Sequence, residues 1–183
     1  MEITETLYVT DRAEWRHWLV DNHKTAKEIW LVYYSKESGK PRIPYLHAVE
    51  EALCFGWIDG IAKKMDAERT AQRFTPRRPK SNWTELNKER MRRLIAQGLM
   101  TEAGLAVAPD LSIESFTIAP DILEALQADP VVWANYQQFD SLYQRVRVST
   151  IEDARRQPEE FRRRLEKFID MTRQNKTYGG PLE

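Results

Sequence analysis

The first hundred residues alternate between strand-like and helix-like hydrophobic patterns. Runs rich in β-branched and aromatic residues predict strands at residues 7–9, 28–34, 57–64 and 69–75. Apolar positions at helical spacing predict helices that begin near Asp11, at Tyr45, after Asn82 and at Thr101. This order predicts an α+β domain over residues 1–111, with a small, mostly antiparallel sheet that carries its helices on one face.

The residues beyond 111 have a different hydrophobic pattern. Four amphipathic stretches follow one another without a strand signal, and Pro130 and Pro158 separate some of them. In the last stretch, residues 159–175, apolar side chains recur on one helical face. We therefore predict a helical C-terminal region over residues 112–178 and a flexible tail over residues 179–183.

Charge is strongly segregated, although the chain has a formal net charge of zero. Residues 61–100 carry 11 basic and 4 acidic side chains, whereas residues 101–140 carry no lysine or arginine and 7 acidic side chains. Local fields of this kind attract ligands of opposite sign. Mutual neutralisation of the two blocks in the folded protein is the alternative interpretation.

Several classes of protein are disfavoured by what the sequence lacks. The single cysteine, Cys54, lies in an apolar run, where we expect a core role, and it cannot form an intrachain disulfide. The N-terminus does not have the pattern of a signal peptide, and no run of 18 apolar residues indicates a membrane span. These features predict a cytoplasmic protein without membrane contact. Three scattered histidines and the lack of nucleotide-binding glycine motifs predict neither a metal site nor a cofactor.

The most informative segment is Arg73–Trp83 (RFTPRRPKSNW), which we call the joint because it connects a predicted strand to a predicted helix. We expect Asn82 to cap this helix, with Glu85 completing a capping box. Helix N-termini favour anions through their unpaired N–H groups, and arginines add donors suited to carboxylate or phosphate. If Asp59 meets Arg73 across the preceding hairpin, it orients that guanidinium.

The joint and the neighbouring strand of the hairpin together predict an anion-binding site. Its candidate residues are Trp57, Asp59, Arg73, Arg77, Arg78, Lys80, Ser81 and Asn82. The expected ligand is an anionic small molecule or an acidic peptide. A solvated loop followed by an ordinary helix cap would explain the same residues without any ligand, and Trp83 is expected to be a core anchor.

Three segments of the sequence are distinctive. They are ALCFGWIDG at residues 52–60, QRFTPRRPKSNW at residues 72–83 and GLMTEAGL at residues 98–105. With Asn87 and basic positions such as Arg155 and Arg163, they resemble the YdeI/OmpD-associated family, also described as bacteriocin-protection proteins. The resemblance implies an α+β N-terminal domain that is sometimes grouped with the YjbR/CyaY-like (frataxin-like) fold. It also implies a link to tolerance of antimicrobial peptides, and it transfers no established catalytic residue.

These observations favour a non-enzymatic binding protein linked to bacteriocin tolerance, and they do not specify an oligomeric state. Three alternatives stay open. The basic segment, extended by Arg92 and Arg93, could bind nucleic acid, or Asp59 could act as an acid or base in an enzyme of unrecognised type. By fold analogy alone, carboxylates of the first helix could bind iron, although their spacing is uneven for a hard cation. These carboxylates are Asp11, Glu14 and Asp21.

Overall fold

The structure is a computed structural model that describes residues 2–78 and 81–180. The chain divides into two compact units. The N-terminal unit comprises residues 1–81 and 91–109, and the C-terminal unit comprises residues 82–90 and 110–183. Lys80 of the predicted site and residues 181–183 of the predicted tail lie outside the described residues.

The N-terminal unit is built on a four-stranded sheet with the strand order β1-β2-β4-β3. The strands are β1 (Thr6–Leu7), β2 (Ile29–Tyr34), β3 (Trp57–Lys64) and β4 (Arg69–Pro76). The helices are α1 (Arg12–Asn22), α2 (Tyr45–Cys54), α3 (Glu85–Ala96, from Met91 onward in this unit) and α4 (Glu102–Leu105). The predicted α+β class is confirmed, and the strands and helices follow one another in the predicted order.

The prediction of a mostly antiparallel sheet is wrong, because the sheet is mixed. Strand β4 runs antiparallel to both β2 and β3, but β1 pairs with β2 in parallel. A parallel pair requires a crossover connection, and α1 supplies it between β1 and β2. The two-residue strand β1 is too short for its hydrophobic pattern to reveal this direction.

Aromatic side chains fill the space between the sheet and its first two helices. Trp15 of α1 is fully buried, donates its indole N–H to the Ala48 carbonyl over 3.0 Å and lies 5.5 Å from the ring of Phe74. Trp18 meets Trp57 edge to face at 5.7 Å. Aromatic pairs of this geometry stabilise a core beyond the area that they bury. They fix α1 against one face of β3 and β4.

The C-terminal unit is helical, as predicted. Its main helices are α5 (Pro120–Gln127), α6 (Pro130–Gln138), α7 (Ser141–Glu152) and α8 (Pro158–Arg173). Asp129 and Asp140 cap α6 and α7 by accepting hydrogen bonds from first-turn N–H groups. Phe168 of α8 is fully buried and packs among the rings of Tyr136, Tyr143 and Tyr178.

Among the described residues, none of the helices has the length and apolar character required to cross a membrane.

A close approach between α2 and α4 organises the end of the N-terminal unit. Thr101 caps α4 and donates both its hydroxyl, over 2.6 Å, and its N–H, over 3.1 Å, to the Cys54 carbonyl. Gly104 lies so close to this carbonyl that a Cβ atom would stand 2.8 Å from the Cys54 carbonyl carbon. A glycine is therefore required at this position for packing.

We expect Gly104→Ala to lower the free energy of unfolding by about 1 to 3 kcal/mol, because the added methyl group forces the two helices apart. Urea unfolding followed by tryptophan fluorescence measures this change. Gly180→Ala is the matched control, since a Cβ at Gly180 meets no atom within 4 Å. Equal unfolding curves for Gly104→Ala and the unmodified protein would contradict the close approach.

Candidate functional site

The register between β3 and β4 places Asp59 and Arg73 on opposite faces of the sheet. Asp59 pairs with Phe74, and side chains of paired residues share one face, whereas neighbours along a strand alternate. A bulge follows, in which Gly60 and Ile61 stand opposite Arg73. The predicted contact between Asp59 and Arg73 is therefore wrong.

Arg73 instead forms an ion pair with Glu28, which precedes β2. Its Nε donates to Glu28 Oε2 over 2.8 Å, and its Nη2 contacts the same oxygen. The other carboxylate oxygen accepts from Thr4 over 2.5 Å and from the Trp30 indole over 3.4 Å. The hydrogen bond from Thr4, followed by that from Arg73, holds the pKa of the Glu28 carboxyl below its ordinary value. Much of the charge of Arg73 is thus neutralised within the protein.

Asp59 belongs to a different set of polar groups. The hydroxyl of Tyr45, the first residue of α2, donates to Asp59 Oδ2. The carboxylate also acts electrostatically on Arg77, which directly follows β4. The backbone N–H of Arg77 donates to the Gly56 carbonyl over 2.8 Å and so continues the pairing of the hairpin by one residue.

Arg77 is a buried arginine, only 7% exposed. Burial lowers the pKa of its guanidinium to about 10, and the charge of Asp59 opposes that fall. The group therefore stays cationic at pH 7. Its Nη1 lies 3.4 Å from the hydroxyl oxygen of Ser81, whose N–H donates to the Arg78 carbonyl. The side chain of Arg78 is exposed.

Trp57 lies in the core. It is 1% exposed, and its indole N–H donates to the His23 carbonyl over 3.2 Å. The structure thus brings Asp59, Arg77 and Ser81 into one neighbourhood. Arg73 lies on the other face of the sheet, and Trp57 has no surface from which to contact a ligand.

The last two residues of the joint belong to the C-terminal unit. The prediction that Asn82 caps α3 is wrong, because Thr84 accepts the N–H of Asn87 over 3.2 Å and α3 begins at Glu85. Asn82 instead donates its side-chain amide to Asp153 over 3.1 Å. Trp83 is half-buried and lines a groove of about 380 Å³.

Glu85 occupies the first turn of α3 as a buried carboxylate, 4% exposed. It pairs with Lys88 at 2.8 Å and with Arg145 at 3.4 Å, both within the C-terminal unit. A carboxylate at this position satisfies the positive end of the helix dipole. Glu85 would therefore compete with any anion at the start of α3.

Neither cysteine nor metal chemistry emerges from the described residues. Cys54 is fully buried at the end of α2, and burial raises the pKa of its thiol to about 11, which keeps it protonated at neutral pH. The expected core position is therefore observed. Within residues 2–78 and 81–180, no group of three or more histidine, cysteine, aspartate or glutamate side chains could hold a metal ion.

A family model described as a domain of unknown function, DUF8412, matches residues 7–107, which is more than half of the chain. The protein belongs to this family. A second model, described as bacteriocin-protection, YdeI or OmpD-associated (OmdA), matches residues 115–175. No curated protein and no solved structure matches the chain. The resemblance to the YdeI/OmpD-associated family is confirmed.

The two matches divide the distinctive sequence features between them. The DUF8412 match contains all three motif segments and the whole predicted site. The OmdA match contains the basic C-terminal positions, of which Arg163 is exposed and pairs with Glu160 of its own helix, whereas Arg155 and Arg164 contact other segments. Arg155 makes a bidentate ion pair with Asp121 at 2.9 and 3.0 Å, and Arg164 donates to the Thr150 carbonyl over 2.6 Å.

Three residues around the site escaped prediction from the sequence. Glu28 forms an ion pair with Arg73, and Tyr45 donates a hydrogen bond to Asp59. Tyr33 lines a cleft together with Tyr45. Side chains alternate along β2, so the sequence predicts that Tyr33 lies on the same face as Leu31. The partnerships of Glu28 and Tyr45 depend on strand order and helix placement, which no local pattern encodes.

We expect Arg73→Gln to lower the free energy of unfolding at pH 7 by about 1 kcal/mol, because Glu28 loses its ion-pair partner. The folded-state pKa of Glu28 lies below its unfolded value. Its contribution is therefore present above the unfolded pKa and is lost as the pH falls through the folded pKa. The difference between variant and unmodified protein should accordingly shrink as the pH falls below about 4.5.

Urea unfolding at a series of pH values from 7 downward measures this effect, with Arg78→Gln as the control of equal charge change. A constant difference between Arg73→Gln and the unmodified protein across that range would contradict the assigned ion pair.

Proposed function

We propose that this protein of the YdeI/OmpD type is a non-enzymatic binding protein linked to bacteriocin tolerance. Its anion-binding residues in this proposal are Arg77, Arg78 and Ser81, the part of the joint that lies in the N-terminal unit. The ligand class is an anionic small molecule or an acidic peptide. The family description of the OmdA match supports the link to bacteriocins.

The observation that carries the proposal is the buried cation at Arg77. Ionisable groups with a perturbed pKa concentrate at functional sites, and burial lowers the pKa of this guanidinium. Asp59 offsets part of the cost of burial, and the backbone hydrogen bond to Gly56 fixes the residue at the end of the hairpin. A charge held in this way is pre-organised for an incoming anion.

Arg78 supplies the second component. It is exposed and directly follows the buried cation, and the N–H of Ser81 folds back onto its carbonyl. In the proposed arrangement Arg78 contacts the ligand, whereas Arg77 supplies a fixed positive field. Charge-assisted hydrogen bonds from arginine to carboxylate or phosphate are stronger than neutral ones.

We expect isothermal titration to detect binding of tripolyphosphate, ATP or a ten-residue glutamate peptide. Arg78→Gln should weaken this binding about tenfold or more, because one charge-assisted hydrogen bond is lost. Arg162→Gln is the control, since Arg162 is an exposed arginine of α8. A short DNA duplex titrated at several salt concentrations tests the nucleic-acid alternative, whose affinity would fall steeply with salt.

The absence of binding to all three anions would overturn the proposed site. Equal affinities of the unmodified protein and Arg78→Gln would do the same. Preferential binding of the duplex with a steep salt dependence would replace the proposal by the nucleic-acid function.

The link to tolerance is testable in cells. We expect bacteria that express the protein to survive higher concentrations of a purified bacteriocin than cells with an empty vector, and to respond unchanged to an unrelated antibiotic. Arg78→Gln should reduce the protection if ligand capture at the joint is responsible, whereas Arg162→Gln should retain it. The minimum inhibitory concentration is the measurement. Equal values with and without the protein would refute the link and leave the binding test unaffected.

A further inference from the structure

A cleft of about 310 Å³ opens in the N-terminal unit, apart from the residues proposed for the joint. Tyr33 and Thr70, which pair across β2 and β4, form part of its wall. The segment Arg42–Tyr45, which leads into α2, forms another part. Ligand sites are typically concave, mostly apolar and equipped with a few polar groups. This cleft has that character at the small end of the usual size range.

The hydroxyl of Tyr33 is the unusual feature of the cleft. It is screened from solvent and has no hydrogen-bond partner among the described residues. Burial raises the pKa of this phenol, so it is a neutral O–H donor at physiological pH. Leaving a buried hydroxyl unsatisfied is unfavourable, because the group has lost its hydrogen bonds to water. A ligand oxygen that accepts from Tyr33 would recover part of that free energy.

Arg42 provides a positive charge on the same cleft. One of its terminal nitrogens donates to the Tyr34 carbonyl over 2.8 Å, which holds the side chain in place. Within the described part of the chain its guanidinium forms no ion pair with a carboxylate, and its charge acts on the Tyr33 phenol. The planar donor fork of arginine matches the two oxygens of a carboxylate.

The nearby acid does not reverse this preference. Asp59 already accepts the hydroxyl of Tyr45, and the cation at Arg77 balances its charge. Arg42 is therefore the cation that lines the cleft, and it interacts electrostatically with Glu37 without forming an ion pair within the described residues. Ile43 is buried and bonded through its N–H to the Val9 carbonyl, which anchors the segment, and the exposed Pro44 presents an apolar surface.

We propose that this cleft binds a carboxylate attached to a small apolar or aromatic group. Tyr33 and Arg42 donate hydrogen bonds to the carboxylate oxygens, and Pro44 and the ring of Tyr45 contact the apolar part. The carboxylate belongs either to a free organic acid or to the C-terminal residue of a peptide. Both sources present the same chemistry to these two donors.

The test uses benzoate, phenylacetate, 3-phenylpropanoate and hexanoate, each paired with its neutral amide. Saturation-transfer NMR identifies the acids that bind, and isothermal titration gives their affinities. We expect the acids to bind at least tenfold more tightly than their amides. An acetylated dipeptide that ends in phenylalanine, as the free acid and as the amide, distinguishes a peptide C-terminus from a free acid.

Tyr33→Phe removes only the hydroxyl, and Arg42→Gln removes the charge together with the guanidinium donors. We expect each to weaken acid binding about tenfold and to bring the affinity of the acid close to that of the amide. Tyr34→Phe, on the other face of β2, and Arg78→Gln, at the joint, are the matched controls and should bind as the unmodified protein does. The Arg78→Gln control separates this cleft from the site of the proposed function.

The free energy of unfolding, measured without ligand, provides a second test. Because the Tyr33 hydroxyl is unsatisfied, Tyr33→Phe should leave the free energy of unfolding unchanged or raise it, whereas loss of a structural hydrogen bond would lower it. The proposal is overturned if no acid binds at millimolar concentration, if acids and amides bind equally, or if Arg42→Gln and Tyr33→Phe bind like the controls. Should Tyr33→Phe fail to fold, Arg42→Gln alone decides.

Discussion

The pairing register of β3 with β4 is the constraint on which the chemistry of the N-terminal unit depends. It sets Asp59 beside Phe74 and carries the backbone of Arg77 to the Gly56 carbonyl. A slip by one residue would exchange the two faces and place Arg73 on the side now taken by Asp59. The bulge at Gly60 and Ile61 adjusts the spacing without exchanging faces. The candidate site at the joint follows from this alignment, whereas the cleft at Tyr33 depends on the pairing of β2 with β4.

Ion pairs within the folded protein then determine which charged side chains are left to bind a ligand. Arg73 is paired with Glu28, and in the C-terminal unit Arg145, Arg155 and Arg164 are each engaged by carboxylates or carbonyls. Within the basic block of residues 61–100, Arg69, Arg73 and Lys88 are paired with Asp66, Glu28 and Glu85, so composition overstates the positive charge that this block presents. The two cations considered for ligand binding are the buried Arg77 and Arg42 of the cleft.

The sequence determined the class of fold well because periodicity reports which face of each element is buried. The helices of the C-terminal unit and the order of elements in the N-terminal unit were predictable for that reason. The parallel β1 was not, since a two-residue strand carries no directional signal. The cap of α3 was misplaced because Asn82 and Thr84 are both good capping residues, and the choice between them depends on Asp153, 71 residues away along the chain.

The sequence predicts where the candidate residues lie along the fold, but it does not predict their contacts. Arg77, Arg78 and Ser81 lie at a strand end, as expected, yet the partner of Arg73 is 45 residues distant and that of Asp59 lies at the start of a helix. Partners distant in the sequence determine whether a charged side chain forms an ion pair inside the protein or can contact a ligand. Composition counts both kinds alike, and it therefore does not indicate the pairing of Glu28 with Arg73.

The family matches and the charge distribution both direct the search for a binding site to the N-terminal unit. The DUF8412 match covers the joint and the cleft, whereas the OmdA match covers helices that Arg155 and Arg164 help to hold together. If both proposals hold, the N-terminal unit presents two anion-selective features on the two strand pairs that β4 forms. One is the buried cation of Arg77 next to the exposed Arg78, which suits a multiply charged ligand. The other is the pair of hydrogen-bond donors Tyr33 and Arg42 beside an apolar surface, which suits a single carboxylate.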